Sequence, residues 1–390
     1  MQALKYTQIF KNSLDKETSI IILKIASRCN LKCTYCHWFR DPDVYKQPPL
    51  MSKGVFDHFI NRLNDYFYSY AKNSFKVVFH GGEPTLLKKE LFEYMCIQLR
   101  LLEKKHDKVI NLGITTNGTF IDDDWMKLWK KYNVGVSVSI DGDAEAHNRY
   151  RVDFKGKGTY SLVSQGIKKL HQAGIKCGTL AVCQPDQDPE KICQHLVDEL
   201  GLKRFNILIP NFNNDDKEKG LVVSIADYYI KLFNLWIEKY WQQGIRIRNL
   251  EAFVKAVLHQ PTSTPSIGFT PMKVISITPA GSIQPHDVLR IAGSSQVELG
   301  LFLQRDPLSS IFETDAWQST LNASVTLPDA CLPCKYKDIC CGGNVIHRYS
   351  SKNGYNNPSV YCDDLQRIYQ HIMNKLPYLQ EIGMIKKLDY

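Results

Sequence analysis

The sequence has no long hydrophobic segment. Its longest apolar run, Ile20–Ala26, is interrupted by Lys24 and is far shorter than the roughly 20 residues that cross a bilayer as a helix. The first eleven residues are polar and lack the apolar core of a secretory signal peptide. These absences argue against export and membrane insertion, so we expect a cytoplasmic protein with no membrane partner.

Low-complexity tracts, internal repeats and dense Lys/Arg runs with interleaved aromatics are also absent. The 390-residue chain has a formal net charge of +9. We interpret this basic excess as a solvated surface and expect no nucleic-acid partner. With 44% hydrophobic residues, the chain is long enough for two or three domains, or for one barrel with an extension.

Cysteine is unevenly distributed, because none of the twelve lies between Cys193 and Cys331. In a reducing compartment, such cysteines more often bind metal or do redox work than form disulfides. Cys29, Cys33 and Cys36 directly follow the apolar run. Three thiolates at this spacing can hold three irons of a [4Fe-4S] cube and leave the fourth iron open for a substrate or cofactor.

Two other interpretations of these cysteines stay open. A structural zinc ion needs four N or S ligands, and the fourth would have to be His37, which abuts Cys36 and would need to bend back. Alternatively, the three thiols are inert and pack as small apolar side chains. The spacing favours the iron–sulfur cube.

The first two thirds of the chain alternate short β-rich runs with amphipathic helices. The runs are rich in Val, Ile and Phe and bounded by turn residues, as is typical of buried parallel strands. Ser52 is a predicted helix N-cap, and Gly174 ends a later helix. Six β-α units predict a parallel sheet, open or rolled into a partial barrel. The predicted strands are Ile20–Ala26, 76–79, 109–115, 134–140, 176–182 and 204–209.

The character of the sequence changes near residue 245. A Pro/Ser/Thr-rich stretch at 260–271 precedes a predicted hairpin of 274–278 and 283–286, and five cysteines lie within 331–362. We therefore predict a second, smaller and metal-rich domain. The predicted divisions are an N-terminal segment 1–18, a first domain 19–245 and a C-terminal domain 246–390.

The unusual loops follow the predicted strands and carry a family resemblance. The Cys-x3-Cys-x2-Cys loop, with Tyr35 before its last cysteine, resembles the signature of radical S-adenosylmethionine (SAM) enzymes. The segment 80–86 resembles their Gly-Gly-Glu motif, and 116–119 and 139–142 resemble later strand motifs of the peptide-modifying branch. The resemblance covers roughly residues 19–210 and implies a partial (β/α)6 TIM-like barrel.

The resemblance also implies a SAM-binding site. Gly81 and Gly82 would let the backbone approach SAM closely, and Glu83 would face its ammonium group. Each assignment has an alternative. Gly81 and Gly82 would then be ordinary turn glycines, Ser139 would serve the turn at its strand end, and Arg151 would form a surface salt bridge. Arg149 is the alternative to Arg151 for contact with the SAM carboxylate. The predicted contacts to SAM are Tyr35, Gly81, Gly82 and Glu83, with Asn117 and Ser139 at the ribose and Arg151 at the carboxylate.

The C-terminal region resembles the SPASM extension of peptide maturases. The resemblance implies one auxiliary [4Fe-4S] cluster, although four thiolates alone suit a structural zinc ion equally well. His286 and Asn344 stand where an inner auxiliary cluster would have cysteines, so we expect no second one. Cys341 is an extra thiol and is expected to be structural. The predicted ligands are Cys331, Cys334, Cys340 and Cys362.

In related maturases, an aspartate at the position of Asp287 acts as a base. A carboxylate beside an apolar cavity can have a raised pKa, so we expect Asp287 to take up a proton; a hairpin-turn aspartate is the alternative. The segments 281–290, 341–350 and 357–362 resemble enzymes that form three-residue cyclophanes, joining an aromatic ring carbon to the Cβ of a residue two positions later.

The resemblance implies SAM cleavage to a 5′-deoxyadenosyl radical and a precursor peptide with a leader as substrate. Flavodoxin or ferredoxin is the expected electron donor. No separate leader-recognition domain is recognisable, so the leader would bind the C-terminal domain or a partner. Formylglycine formation on a sulfatase, thioether formation and epimerisation are alternative reactions, and a zinc-binding interaction protein is the alternative without catalysis.

Overall fold

The structure is a computed structural model and describes residues 16–262 and 264–388. Nine strands form one sheet in the order β7-β6-β5-β4-β3-β2-β1-β8-β9. All neighbours are parallel except the β8–β9 hairpin. The strands are β1 (Ile20–Ala26), β2 (Ser74–Gly81), β3 (Val109–Thr116), β4 (Val134–Ser139), β5 (Cys177–Val182), β6 (Arg204–Leu208), β7 (Arg246–Ile247), β8 (Val274–Ile277) and β9 (Ile283–Pro285).

The helices alternate with the first six strands and recur between loops in the C-terminal region. They are α1 (Lys53–Ser69), α2 (Lys89–His106), α3 (Asp123–Lys131), α4 (Ala144–Asn148), α5 (Tyr160–Gln172), α6 (Pro189–Gln194), α7 (Asn214–Glu218), α8 (Ala226–Leu235), α9 (Arg248–Val257), α10 (Asp315–Val325), α11 (Lys337–Cys340), α12 (Val345–Arg348), α13 (Cys362–Glu381) and α14 (Met384–Leu388). The predicted α/β class and parallel sheet are confirmed.

The predicted helix starts and stops follow from local chemistry. The Ser52 hydroxyl accepts the backbone N–H of Val55 at 3.2 Å and caps α1, as expected. Gly174 follows α5 with φ of +69°, a conformation that favours glycine. Among the described residues, no helix is long and apolar enough to cross a membrane.

The two faces of the parallel strands differ more than the sequence suggested. In β2, Phe75, Val77 and Phe79 are buried under the helices, whereas Lys76 and His80 alternate with them and line an internal cavity. We expected strands buried on both faces. The inner face is instead partly exposed because the sheet curves around a wide interior.

The C-terminal hairpin joins the same sheet as the barrel strands. Strand β8 pairs in parallel with β1, with Ile20 opposite Val274 and Leu23 opposite Ile277. One hydrophobic core runs from the first strands to α13. The domain division at residue 245 therefore stays a prediction.

A buried arginine ties the cysteine loop to the hairpin. The Arg290 side chain is fully buried, and its guanidinium donates to Asp41 Oδ2 at 2.6 Å, Glu298 Oε1 at 2.9 Å and Gln284 Oε1 at 2.9 Å. It also lies 5.0 Å from the ring centroid of Trp38. These contacts fix the segment after the cysteine loop against the segment after β9.

We predict that Asp41→Ala destabilises the fold by about 1.5–3 kcal/mol, because the buried Arg290 cation loses its shorter ion pair and keeps only the one with Glu298. Urea unfolding of the anaerobically purified protein measures the change. Glu218→Ala is the matched control, since Glu218 pairs with Lys352 on the surface and its loss should leave the urea midpoint nearly unchanged. Equal midpoints for both variants would contradict the prediction.

Candidate radical and auxiliary cluster sites

The loop with the first three cysteines starts where β1 ends. Cys29, Cys33 and Cys36 are half-buried. The backbone N–H of Leu31 donates to Cys29 Sγ at 3.3 Å, and Asn117 Nδ2 donates to the same sulfur at 3.6 Å. N–H donors to cysteine sulfur are typical of iron–sulfur ligands. The structure therefore brings the three predicted ligands into one loop with donors already directed at a sulfur.

Burial alone disfavours thiolates in this loop. It raises the pKa of Cys29 to about 12 and that of Cys33 to about 11, with the charge of Glu83 adding to the effect at Cys29 and Arg151 opposing it at Cys33. A cysteine binds a metal as the thiolate. The thiolates therefore need a bound cation such as iron to compensate for the lost hydration.

Gly81 and Gly82 bring β2 against the start of the cysteine loop. A Cβ on Gly81 would lie 2.1 Å from the Ala26 carbonyl oxygen, and one on Gly82 would lie 2.1 Å from that of Arg28. The backbone N–H of Gly82 donates to Ala26 O at 2.8 Å. Side chains are therefore excluded at both positions by the close approach of the cysteine-loop backbone. The contact of the two glycines with SAM stays a prediction.

Glu83 is fully buried and hydrogen-bonded within the protein. Its carboxylate accepts the Thr85 backbone N–H at 3.0 Å, the Thr116 hydroxyl at 2.6 Å and the Asn117 backbone N–H at 2.7 Å. Burial raises its pKa, although these donors oppose the shift. Glu83 therefore joins the ends of β2 and β3, and its predicted contact with an ammonium group is untested.

Asn117 and Ser139 lie at the ends of β3 and β4, as predicted. Asn117 Nδ2 donates to Asn30 Oδ1 at 2.8 Å, and Asn30 Nδ2 donates to the Thr119 hydroxyl at 2.8 Å. Ser139 is half-buried. Sequence reasoning missed Asn30, although its position between two predicted ligands was a signal. The ribose contacts of Asn117 and Ser139 stay predictions.

Arg151 is buried and forms an ion pair whose partner was not predicted from the sequence. Its Nε and Nη2 donate to Asp141 Oδ2 and Oδ1 at 2.9 and 3.1 Å, and the hydroxyl of Tyr35 donates to the same carboxylate. Arg149 instead lies on the surface and pairs with Asp186. The pair with Asp141 uses two of the five N–H donors of Arg151, so contact with a second carboxylate remains a prediction.

Asp287 lies where the sequence predicted, but its electrostatic environment is the opposite of the expected one. It is buried, and its carboxylate pairs with the fully buried ammonium of Lys24. Burial raises its pKa, but the Lys24 charge outweighs burial and holds the pKa of Asp287 well below its usual range. The expected raised pKa is therefore wrong, because the partner cation was unknown.

Two histidines complete the surroundings of Asp287. His37 Nε2 lies 3.2 Å from Oδ2, and His286 Nδ1 lies 3.2 Å from Oδ1. Lys24 Nζ also lies 3.4 Å from Nδ1 of the half-buried His80. His37 thus faces Asp287, and Lys24 is a functional residue that sequence reasoning missed. A lysine within an otherwise apolar strand was the available signal for a buried partner.

The four C-terminal cysteines are brought together. Burial, followed by the charges of Cys341, Cys362, Cys331 and Cys334, raises the pKa of Cys340, which places these sulfurs within mutual electrostatic range. The Tyr336 backbone N–H donates to Cys334 Sγ, and Gln366 Nε2 donates to Cys362 Sγ, both at 3.4 Å. The donor set fits a cluster with four cysteine ligands.

Cys341 adjoins this set but has a different backbone conformation. It has φ of +53°, in the left-handed region, and its thiol lies 3.7 Å from the Asp338 carbonyl oxygen. In the part of the chain that the structure describes, no three His, Cys, Asp or Glu side chains converge as ligands of a single metal ion. Metal analysis separates an iron–sulfur cluster from zinc at either site.

A group of buried apolar side chains lies beside His286 and Asn344, the positions where an inner auxiliary cluster would have cysteine ligands. We call it the second core; it packs the segment after β9 against α10 and α12. Asn344, which stands at one of those positions, caps α12 by accepting the Ile346 backbone N–H at 3.2 Å. The members of the second core are Met272, Val288, Leu289, Val297, Ala323, Val345 and Ile346.

We predict that Gly82→Ala lowers the iron content from about eight to about four atoms per chain, because its Cβ would push the Arg28 carbonyl and displace the cysteine loop. Iron analysis after anaerobic reconstitution measures this. Gly54→Ala is the control, since its Cβ would approach no atom closer than 4.0 Å. Full iron content in Gly82→Ala would show that the loop tolerates the added group.

We predict that Asp287→Asn destabilises the protein by about 3–5 kcal/mol, because it leaves Lys24 charged and buried without its counterion. The double variant Lys24→Met/Asp287→Asn should lose clearly less than the sum of the single variants. Urea unfolding of all four proteins gives the coupling. Since the pKa of Asp287 is lowered, the pair should stabilise the fold at neutral pH and weaken only when pH falls through that low pKa. Additive effects would refute the pairing.

Comparison with known proteins agrees with this geometry. The radical SAM superfamily profile matches residues 23–198. A cysteine-type anaerobic sulfatase-maturating enzyme of Clostridium novyi (strain NT) is 24% identical over 375 residues, covering 93% of this chain and 97% of the relative. A serine-type anaerobic sulfatase-maturating enzyme of Bacteroides thetaiotaomicron is 32% identical over 171 residues, covering 43% of this chain and 40% of the relative.

Solved structures share the fold. Native anSMEcpe with bound AdoMet and Cp18Cys peptide has a TM-score of 0.79 at 23% identity, covering 93% of this chain and 98% of that one. Streptococcus suis SuiB bound to precursor peptide SuiA has a TM-score of 0.63 at 18% identity, covering 93% and 80%. Radical SAM enzymes use a [4Fe-4S] cluster and SAM. The chain is therefore an enzyme with a radical SAM domain at residues 23–198, and it shares the fold of SPASM-type enzyme structures through the cysteine-rich C-terminal region.

Proposed function

We propose that this enzyme modifies a ribosomally made precursor peptide by joining an aromatic ring carbon to the Cβ of a residue two positions later. One observation carries the choice of reaction. Two of the segments that resemble cyclophane-forming enzymes pack on each other, because Val288 and Leu289 meet Val345 and Ile346 in the second core. The third segment is attached to them, since the Val360 backbone N–H donates to His347 O at 2.9 Å.

The chemistry divides between the two cysteine sites. Cys29, Cys33 and Cys36 would hold a cluster that, together with SAM, would supply a radical able to remove a hydrogen atom from the peptide Cβ, and the four C-terminal cysteines would hold a cluster able to accept an electron. The residues at the strand ends would hold SAM: Tyr35, Gly81, Gly82, Glu83, Asn117, Ser139 and Arg151. The protein's share is to orient the peptide and to exclude water.

Asp287 is proposed to accept the ring proton in spite of its lowered pKa. Addition of the carbon radical to the ring must be followed by loss of one electron and one proton to restore aromaticity. Once the electron has left, the ring cation is strongly acidic, so a weak base suffices. Lys24 keeps this base ionised, and His37 and His286 border its two oxygens.

Formylglycine formation is the second candidate. The similarity to the C. novyi sulfatase-maturating enzyme extends over 93% of this chain, which favours it. The apolar second core and the residues at His286 and Asn344 favour the cyclophane reaction instead, since they leave one predicted auxiliary cluster. Thioether formation and epimerisation use the same radical and are further outcomes of the product analysis.

The test uses anaerobically reconstituted enzyme with SAM, dithionite and a short peptide encoded next to its gene. We expect release of 5′-deoxyadenosine and a peptide that is two hydrogens lighter. Tandem mass spectrometry should show no backbone fragments between the aromatic residue and the residue whose Cβ is joined to it. A product that reacts with a carbonyl-specific hydrazine would identify formylglycine. A peptide of unchanged mass would reject cross-linking, and no deoxyadenosine at all would reject the radical chemistry.

We predict that Cys331→Ala/Cys334→Ala lowers the iron content from about eight to about four atoms per chain and abolishes the cross-linked product, because the auxiliary cluster loses two ligands. Iron analysis and mass spectrometry of the peptide measure the two effects. Cys341→Ser is the matched control and should retain both iron and product, since its thiol faces the Asp338 carbonyl. Two zinc ions and no iron in the unaltered protein would support the non-catalytic alternative.

The remaining partners are proposals of the same kind. Twelve free cysteines and oxygen-sensitive clusters favour a reducing compartment, and we propose the cytosol. Flavodoxin or ferredoxin is the proposed electron donor in place of dithionite. The leader of the precursor peptide is proposed to bind the C-terminal region or a separate protein.

A further inference from the structure

The barrel encloses a cavity that the proposed chemistry does not explain. Its volume is about 2010 Å³, roughly twice the upper end of the 300–1,000 Å³ that small-ligand pockets occupy. Inner-face residues of the strands line it. His80 and His286, which adjoin Lys24 and Asp287, also border the cavity and connect it with the candidate reaction site.

The opposite end of the cavity is lined by cations. Six Lys or Arg side chains border the cavity, and among the described lining residues none is Asp or Glu. Five of them lie at or near the N-terminal start of a strand, and Arg248 directly follows the two-residue β7, which pairs with the start of β6; we call this end of the barrel the basic end. The six cations are Lys76, Lys176, Lys203, Arg204, Arg248 and Lys273.

Four of these six cations have no acidic partner among the described residues. Within the described ranges, Lys76, Lys176, Lys203 and Arg204 form no ion pair with an acidic side chain. Burial, together with the charge of Arg248, lowers the pKa of Lys76. Like charges gathered at one end of a cavity repel one another, and an anion that binds there relieves the repulsion.

The middle of the cavity is widened by small residues. Gly113, Gly135 and Gly178 lie on the inner faces of β3, β4 and β5. A Cβ on any of them would approach other atoms no closer than 3.6 Å, so the backbone does not require glycine there. Their effect is to keep the passage between the basic end and the histidines open.

We propose that the barrel interior binds an acidic segment of the peptide substrate in extended conformation, with its carboxylates at the basic end and its reacting residues beside His80 and His286. This inference rests on the proposed function. Lys76 and His80 are four residues apart in β2, about 13 Å along the strand. An extended peptide covers this distance in about four residues, so Asp or Glu should occur about four residues from the modified site.

The chemistry favours a peptide over other anions. A phosphate ion would occupy only a small part of the cavity, whereas an extended chain also uses its apolar and small middle section. A single-stranded nucleic acid would need stacking surfaces, and the lining contains no Phe, Tyr or Trp among the described residues.

The test measures binding of a fluorescein-labelled decapeptide with four adjacent Glu residues, by fluorescence anisotropy, to the reconstituted full-length enzyme. Lys76→Gln/Arg248→Gln should raise Kd at least about tenfold, and a peptide with Gln in place of Glu should bind comparably weakly. Lys127→Gln/Lys352→Gln is the matched control, because it removes the same charge from the exposed exterior and should change Kd less than about twofold.

A second variant tests the passage without changing charge. Gly135→Leu should weaken binding of the Glu peptide because its side chain would project into the cavity, next to the middle section. Equal effects of interior and exterior charge variants, no effect of Gly135→Leu, or equal competition by inorganic phosphate or an oligothymidine would overturn the proposal. Deoxyadenosine release by the unaltered enzyme without peptide tests the proposed radical chemistry separately.

Discussion

Lys24 and Asp287 come from distant parts of the sequence and meet where neither side chain is exposed. Each charge would be costly to bury alone, so each requires the other. Lys24 belongs to β1, directly before the cysteine loop, and Asp287 follows β9 in the C-terminal hairpin. The pair therefore fixes the position of the hairpin relative to the loop, and two of the neighbouring histidines, His80 and His286, border the cavity inside the barrel.

Close backbone approach gives the cysteine loop its second support. Gly81 and Gly82 let β2 lie against the backbone from Ala26 to Cys29, and the buried carboxylate of Glu83 joins that contact to β3. On the other side, Arg290 and Asp41 hold the segment after the loop. The first cluster site is thus bordered by contacts from the barrel and from the C-terminal region, which fix the backbone on both sides of the cysteine loop.

Much of this arrangement could be predicted from local sequence. The six strands, the Ser52 cap and the hairpin depend on periodicity and turn residues, which act over a few positions. The partners of Lys24 and Arg151 could not be predicted, because they depend on which distant segments meet. The sign of the pKa shift at Asp287 was wrong for that reason. The open interior was missed because Lys76 looks like an ordinary surface lysine until its strand is curved.

The attachment of β8 to β1 has a consequence for shortened forms of the enzyme. In the intact protein, β1 has β2 on one side and β8 on the other. A fragment ending near residue 245 would leave the apolar strand Ile20–Ala26 as a free edge, with unpaired backbone groups and an uncovered Lys24. Exposed hydrophobic edges recruit further strands, so such a fragment should aggregate. The C-terminal region therefore protects the edge of β1 from association with other strands.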